Sequence, residues 1–288
     1  MAEVIRNPDN GQWQSAVARL AALLRGRRTV VLAGAGCSTE SGIPDYRGTG
    51  AARRGAPVQY QEFVRDPLAR QRYWARSTVG WPRFSAARPN EGHRALARLE
   101  AGTAVAGIIT QNVDGLHQAA GSGNVVELHG SLAAVRCLAC DSAVSRGEWQ
   151  EHLLAANHAW AEQVGGVTAE TAPDGDAVLH PDRVAEFRVP GCPTCDGIMK
   201  PDVVFFGENV PRPRVEEAWG LFDHGEVLLV AGSSLTVFSG RRFMYRACER
   251  GVPVVVVNRG PTRADEIAAA KVDGPLGVVL PHLASLLA

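Results

Sequence analysis

The sequence predicts an α/β fold, a doubly wound parallel sheet with a smaller second lobe, and three observations lead to that expectation. Short β-branched runs alternate with segments of helical periodicity, the pattern of a parallel sheet covered on both faces. The first such run, residues 29–33, feeds directly into a glycine turn, Gly34-Ala35-Gly36. Two long stretches then break the alternation, and one of them is bracketed by paired cysteines.

Taken in order, Trp13, Val17, Leu20, Ala21 and Leu24 recur at helical spacing with Gly26 as a stop. Residues 29–33 read as a buried strand, and similar runs at 105–110, 125–128, 226–231 and 253–258 read as its neighbours. Helix-like segments lie between them, as at 91–100 and 240–250. Ligands of such a Rossmann-like sheet sit at the strand C-terminal ends. The interruptions are 48–88, helical around 61–78, and 135–200. Residues 1–48, 89–134 and 201–288 are therefore expected to form the Rossmann-like domain. A helical insertion, 49–88, and a cysteine-bracketed module, 135–200, are expected to form the small lobe. Residues 164–182, rich in Gly, Asp, Thr and Pro, are expected to be a surface loop.

The composition is that of a globular protein: of 288 residues 45% are hydrophobic and 21% charged, which excludes a disordered or fibrous chain. Thirty basic residues balance thirty acidic ones, so no general nucleic-acid affinity is expected. Only Lys200 and Lys271 are lysines, a bias toward arginine from which nothing functional follows at this stage. The first thirteen residues include Glu3, Arg6 and Asp9 and lack a secretory apolar stretch. No run approaches the ~20 apolar residues of a membrane span. The expected location is the cytoplasm, where spaced cysteine pairs point to metal more than to disulfides.

Cys137-Leu-Ala-Cys140 and Cys192-Pro-Thr-Cys195 are two C-x-x-C knuckles separated by 51 residues. Four thiolates in that pattern suit a closed tetrahedral structural Zn2+ site, with no position left to activate water. The loop Gly34-Ala35-Gly36-Cys37-Ser38-Thr39-Glu40-Ser41-Gly42-Ile43-Pro44-Asp45-Tyr46-Arg47 departs from a G-x-G-x-x-G fingerprint at Thr39. Its glycines alone fit an ordinary tight turn as well as a pyrophosphate-binding loop; Ser41, Asp45 and Arg47 favour the latter. Thr110-Gln111-Asn112-Val113-Asp114-Gly115-Leu116-His117 ends another strand with amides and a carboxylate suited to ribose hydroxyls or a carboxamide. Glu127-Leu128-His129-Gly130 ends the next, and an unperturbed imidazole, titrating near ~6.5, suits proton removal at neutral pH. A lone histidine at a strand end is more often structural, but convergence of three polar clusters on one crevice argues for a base.

Together these segments resemble the sirtuin family, whose signatures are a GAG-x-S-x-x-S-G-I-P-D-F-R loop, a T-Q-N-x-D-x-L-H turn, a following H-G and two zinc knuckles. The resemblance continues through Lys200-Pro-Asp-Val-Val-Phe-Phe-Gly207-Glu208, Gly232-Ser-Ser-Leu235 and Asn258-Arg-Gly-Pro-Thr-Arg-Ala-Asp265, so it spans nearly the whole chain. The forms Pro-Asp-Tyr-Arg, Gly-Ser-Ser-Leu-Thr-Val-Phe-Ser-Gly and Gly-Pro-Thr-Arg-Ala-Asp look closest to class II sirtuins, the mitochondrial-type members and their bacterial relatives. Two departures stand out. Tyr46 replaces phenylalanine, as in that class, and Cys37 replaces isoleucine or alanine, either as a small apolar filler or as an oxidation-sensitive thiol.

The resemblance implies an NAD-dependent deacylase acting on acyl-lysine protein substrates, with one structural Zn2+. NAD is consumed as co-substrate, and the products are nicotinamide, O-acyl-ADP-ribose and free lysine. Gly34, Ala35, Gly36, Ser38 and Glu40 would line the pyrophosphate and ribose. Ile43, Asp45, Asn112 and Asp114 would hold nicotinamide, with Tyr46, Arg47 and Gln111 at the same cofactor. Gly232, Ser233, Ser234, Asn258, Arg259 and Gly260 would take the adenosine half, and Leu276 the adenine. His129, as base, and Asn112 would be catalytic. Val204, Phe206, Gly207 and Glu208 would pair with the substrate backbone as an added strand, the lysine entering a tunnel between the lobes. Tyr73 and Arg76, three apart on a helix, would grip a carboxylate and so favour acidic or branched acyl groups. A surface arginine packed over an aromatic fits the same spacing. Protein mono-ADP-ribosyl transfer and a non-catalytic zinc-stabilised NAD sensor are the competing functions; Asn112, Asp114 and His129 together argue against the sensor.

Overall fold

β-branched runs become strands and periodic runs become helices in a computed structural model described for residues 4–5, 12–45, 57–164, 175–177 and 179–288. In chain order the first elements are β1 (Val4–Ile5), α1 (Gln12–Leu24), β2 (Thr29–Ala33), α2 (Tyr60–Arg65), α3 (Pro67–Ser85), α4 (Glu91–Ala101), β3 (Val105–Thr110), α5 (Leu116–Ala119) and β4 (Val125–Glu127). Next come β5 (Gly130–Cys137), β6 (Ala143–Ser145), α6 (Arg146–Ala156), α7 (His158–Val164), α8 (Pro181–Ala185) and β7 (Met199–Val203). The chain closes with α9 (Arg212–Asp223), β8 (Val227–Ala231), α10 (Phe238–Glu249), β9 (Val254–Val257), β10 (Ala270–Val272) and α11 (Leu276–Leu287). The described residues divide into two units, the first from Met1–Gly42, Arg88–Leu128 and Val210–Ala288, the second from Ile43–Ala87 and His129–Asn209.

The first unit is built on a parallel seven-stranded sheet in the order β1-β10-β9-β8-β2-β3-β4. Successive strand residues face opposite sides, so each strand serves two cores. Val31, Ala33, Leu229 and Val255 pack with Leu20 of α1, Leu96 of α4 and Leu280 of α11. Val30, Leu32, Leu228 and Val256 pack with Phe222 of α9 and Phe243 of α10. Helices on both faces make the sheet doubly wound, as its alternation predicts. From β2 the chain proceeds outward to β3 and β4, then returns to lay β8 on the other side of β2. The strand order therefore reverses between β2 and β8, the point at which sheets of this kind bind their ligands.

β10 escapes a hydropathy reading because Lys271 sits in its centre. That lysine is 3% exposed, and its Nζ donates to Asp265 Oδ2 at 2.7 Å and to the Gly260 carbonyl at 2.9 Å. A buried ammonium paired in this way costs less than its isolated charge would.

The second unit carries an antiparallel sheet, β6-β5-β7, and the helices α2, α3 and α6 to α8. The helical stretch expected over 61–78 is two helices, because Asp66 turns extended, caps the Leu68 amide at 2.8 Å and is followed by Pro67 in the first turn of α3. Residues 164–182 correct a second expectation. Residues 165–174 and 178 lie outside the described set, but Gly175, Asp176 and Ala177 are buried rather than at the surface. The Ala177 amide donates to the Arg76 carbonyl at 3.0 Å, and a Cβ on Gly80 of α3 would stand 1.8 Å from the Gly175 carbonyl oxygen. Polar composition marks a segment without strand or helix period; it does not show where the segment packs. No described helix is long and apolar enough to cross a membrane.

Candidate functional site

At the reversal point of the first unit two glycine-bearing loops touch backbone to backbone. The amides of Gly34 and Gly36 donate to the carbonyls of Ala231 (3.0 Å) and Gly232 (2.8 Å). Side chains would not fit: a Cβ at Gly34 would meet Ser233 Cβ at 2.7 Å, and one at Gly232, whose φ is +63°, would stand 2.4 Å from the Cys37 nitrogen. These glycines thus serve the contact between loops. After them the chain makes two 3-10 turns, Ala35–Cys37 and Thr39–Ser41, whose first amides have no acceptor within their own turns.

Against this loop stand the residues that end β3. Asn112, 8% exposed, donates from Nδ2 to the Gly34 carbonyl and to Ser38 Oγ, both at 3.1 Å. The Ser38 hydroxyl in turn donates a hydrogen bond to Asp114 Oδ2 at 2.7 Å. Gln111 Nε2 donates to Ser233 Oγ at 2.8 Å, tying β3 to the loop after β8. Buried amides and a carboxylate joined in one network keep fixed orientations, which suits them to reading hydroxyls and a carboxamide.

Cys37 is also buried, and its thiol donates to the Ala231 carbonyl at 3.3 Å. Burial pushes its pKa up to about 12, opposed by the Gly34 hydrogen bond and helped to a lesser degree by the carboxylates of Asp114 and Glu40. It therefore stays a protonated filler, since only the thiolate is reactive.

Three supporting contacts are absent from the sequence reading, although Glu40 itself is among its cofactor residues. Asn90 caps α4 and donates from Nδ2 to the Cys37 carbonyl (2.7 Å) and Ser41 Oγ (3.0 Å), holding the far side of the loop. His93 and His117, each 1% exposed, stack edge to face at 4.8 Å. Glu40 accepts from the Gly277 amide at 2.6 Å. The Asn90-x-x-His93 spacing just before a helix is a readable capping pattern, but which loop the cap would hold is not.

Asn258 ends β9, buried, with Nδ2 donating to the Arg259 (2.9 Å) and Gly260 (3.2 Å) carbonyls. Arg259 is exposed and Ser234 half-buried. Leu276 buries its side chain in the core beneath α11, and it is the following residue, Gly277, whose backbone meets the loop. Ile43 is buried and Asp45 half-buried at the start of the second unit, whereas Tyr46 and Arg47 lie outside the described residues.

In the second unit His129 is half-buried in the turn leading into β5, and its carbonyl accepts from the Val204 amide at 2.8 Å. Residues 204–208 follow β7. Phe206 is 39% exposed and bridges to Gln59, and Gly207 turns the chain with φ +78°. Glu208 folds back to accept from the Phe205 amide at 2.8 Å and pairs with Lys200 Nζ at 3.0 Å. Lys200 is itself 5% exposed and also donates to the Val203 carbonyl.

Tyr73 and Arg76 are not presented as an open pair. Tyr73 is buried among the rings of Phe63, Trp74 and Phe205. Arg76 Nε donates to the Ala177 carbonyl at 2.9 Å and lies 4.0 Å from the buried Asp176 carboxylate.

The four knuckle cysteines converge at the end of β5. Their sulfurs all lie within 4.8 Å of one another, with Cys137–Cys195 at 3.5 Å and Cys140–Cys192 at 3.8 Å. Zn–S bonds of ~2.3 Å at tetrahedral angles place sulfurs roughly 3.8 Å apart, so the set fits the ion. The Ala139 and Thr194 amides donate to Cys137 and Cys192 Sγ, each at 3.4 Å, as donors stabilising thiolates would.

Comparison with known proteins agrees with this geometry. The Sir2 family model matches residues 34–239. An NAD-dependent protein deacetylase of Bordetella bronchiseptica is 51% identical over 259 residues, covering 90% of this chain and 93% of that protein. NAD-dependent protein deacetylase 1 of Streptomyces coelicolor is 52% identical over 272 residues, covering 94% and 90%. Among solved structures, a complex of Sir2 with a p53 peptide and NAD+ superposes with a TM-score of 0.71 at 29% identity, covering 92% of this chain and 96% of that one.

Proposed function

The chain belongs to the Sir2 family, the sirtuins, and on that basis we propose that it removes acyl groups from protein lysines at the expense of NAD. The observation that carries the reading is the Asn112–Ser38–Asp114 network, set under the crossed glycine loops at the reversal point of the sheet. NAD supplies an activated ribose, with nicotinamide as leaving group, and takes up the acyl group as O-acyl-ADP-ribose. The loop from Gly34 to Glu40 positions its phosphates and ribose, and Asn112, Asp114, Ile43 and Asp45 orient nicotinamide, with Gln111, Tyr46 and Arg47 beside them. Gly232, Ser233, Ser234, Asn258, Arg259, Gly260 and Leu276 take the adenosine half. His129 acts as general base on a ribose hydroxyl. Val204, Phe206, Gly207 and Glu208 receive the substrate backbone. One Zn2+ on Cys137, Cys140, Cys192 and Cys195 has a structural role, since four protein ligands leave no open position.

The motif forms around Tyr46 and residues 232–240 support a class II assignment. Six free cysteines support a cytoplasmic location, and zero net charge supports the absence of general nucleic-acid binding. For the acyl group we favour acetyl over acidic chains, because Arg76 already faces Asp176.

The deciding experiment incubates the protein with NAD and acetyl, succinyl, glutaryl or methylglutaryl peptides and follows the products by mass spectrometry. O-acyl-ADP-ribose is expected, with turnover falling roughly 10²–10⁴-fold in His129→Ala while zinc content and melting temperature hold. Nicotinamide release with ADP-ribose attached to protein would replace the reading by ADP-ribosyl transfer, and no release at all by a sensor. Arg76→Ala should leave acetyl turnover close to wild type.

A further inference from the structure

The loop that follows β2 is gripped from two sides, and only one grip belongs to the network at the strand ends. On one side Asn112 and Asp114 meet at Ser38. On the other stands Asn90, the residue before α4, to which none of the chemistry above assigns a part. Its carboxamide is engaged at both ends. Oδ1 accepts from the amides of Gly92 (2.9 Å) and His93 (3.2 Å), capping the helix. Nδ2 donates to the Cys37 carbonyl (2.7 Å) and to Ser41 Oγ (3.0 Å).

The second pair of bonds explains why the cap is an asparagine. Aspartate and serine cap a helix about as well, but a carboxylate has no N–H to give a carbonyl and a serine hydroxyl stops a bond short. Cys37 and Ser41 are the last residues of the two 3-10 turns, Ala35–Cys37 and Thr39–Ser41. One NH2 group therefore ties the end of the first turn to the end of the second and sets the angle between them. That angle decides where the backbone amides of the loop point. Amides aimed before a ligand arrives bind it without the cost of ordering them.

Asn90 is itself held in place. Its backbone amide donates to His93 Nδ1 at 3.3 Å, completing a reciprocal cap. His93 packs on His117 of α5, and α5 begins where the Leu116 amide donates to Asp114 Oδ1 at 2.9 Å. Asp114 accepts in turn from Ser38, so the contacts close a ring that runs from the loop through Asn90, His93, His117 and Asp114 back to the loop. Every member lies in the first unit. Because both histidines are buried, the packing around them leaves Asn90 little freedom to follow a loop that moves. We infer that Asn90 is a positioning residue for NAD, acting through the relative aim of the two turns; the inference rests on the assignment of this loop to the cofactor.

The test uses Asn90→Ser in the full chain, which keeps a neutral cap and removes the bridge. In calorimetric titration NAD and ADP-ribose should each bind the variant about tenfold more weakly than wild type, the effect of two lost hydrogen bonds, at a melting temperature close to wild type. With an acetyl-lysine peptide, KM for NAD should rise by the same factor while kcat and the peptide KM hold. Ser41→Ala, which leaves the cap and the Cys37 contact whole, should weaken NAD about threefold. Wild-type NAD affinity in Asn90→Ser overturns the inference. So does a fall in kcat with both KM values raised, the mark of a site loosened throughout. Weaker NAD with unaltered ADP-ribose binding overturns it as well, because the effect would then lie at nicotinamide and not at the turns. Should Asn90→Ser melt early, Ser41→Ala decides in its place, and unchanged NAD affinity there overturns the bridge. If wild type binds neither ligand, the cofactor assignment has failed and the inference with it. If it binds both but turns over no acyl peptide, only the deacylase reading has failed, and the titrations still decide the role of Asn90.

Discussion

The polar side chains at the strand ends of the first unit are held by a few buried groups, and His117 shows what such burial does to titration. Neither ring nitrogen of His117 has a hydrogen-bond partner among the described residues. Burial, and secondarily His93, lower its pKa to about 3; His93 is lowered too, chiefly by burial. An unfolded chain protonates this residue near pH ~6.5, whereas the folded chain does not until about pH 3. The stability it contributes is therefore complete above pH 6.5 and lost as pH falls toward 3, at up to about 1.4 kcal/mol per unit. Unfolding free energies from urea titration at pH 7.5 and 5.0 should differ more in wild type than in His117→Leu, by roughly 2 kcal/mol; parallel profiles would refute this origin. At this scale the sequence is partly legible. Polar residues closing apolar runs, such as Asn112 and Asp114, mark a ligand face because a buried strand seldom ends that way for packing alone. Asn90 and His93 are invisible as site residues, since they act through a helix cap and a ring contact that only folding creates.

Among the elements, the turn after β7 is held by Lys200, which ties the Val203 carbonyl to the Glu208 carboxylate while its ammonium lies 4.6 Å from the Phe205 ring centroid. Lys200→Met should free that turn and leave a partly buried carboxylate unpaired, at a cost on the order of 3 kcal/mol. The peptide KM is expected to rise about tenfold with KM for NAD unchanged, and an unchanged peptide KM would refute a role for the turn in substrate binding. Strands such as β2 and β3 are legible because their residues are apolar on both faces. β10 is not, because an ammonium neutralised by Asp265 looks like surface in a linear sequence. The break between α2 and α3 was present in Asp66-Pro67, a cap and a first-turn proline that outweigh apolar periodicity.

For the whole molecule, the four clustered cysteines sit at the end of β5 in the smaller sheet, and a structural zinc site of the kind they could form can contribute on the order of 10 kcal/mol to folding. Chelation is expected to melt the second unit while the sheet of the first keeps its circular-dichroism signature; loss of activity with the second unit still folded would instead make the metal a reactant. The doubly wound class was legible from alternation alone, whereas the burial of residues 175–177 against α3 was not, because it depends on a glycine notch rather than on any period. The two lysines have a consequence of their own. Both ammoniums are withdrawn into ion pairs, at 5% and 3% exposure, so the folded surface offers no lysine amine to an acyl donor. In a mixture with reactive thioesters or acyl phosphates, the enzyme would remain unmarked at lysine while its clients accumulate label, and its own side chains would not compete with them for turnover.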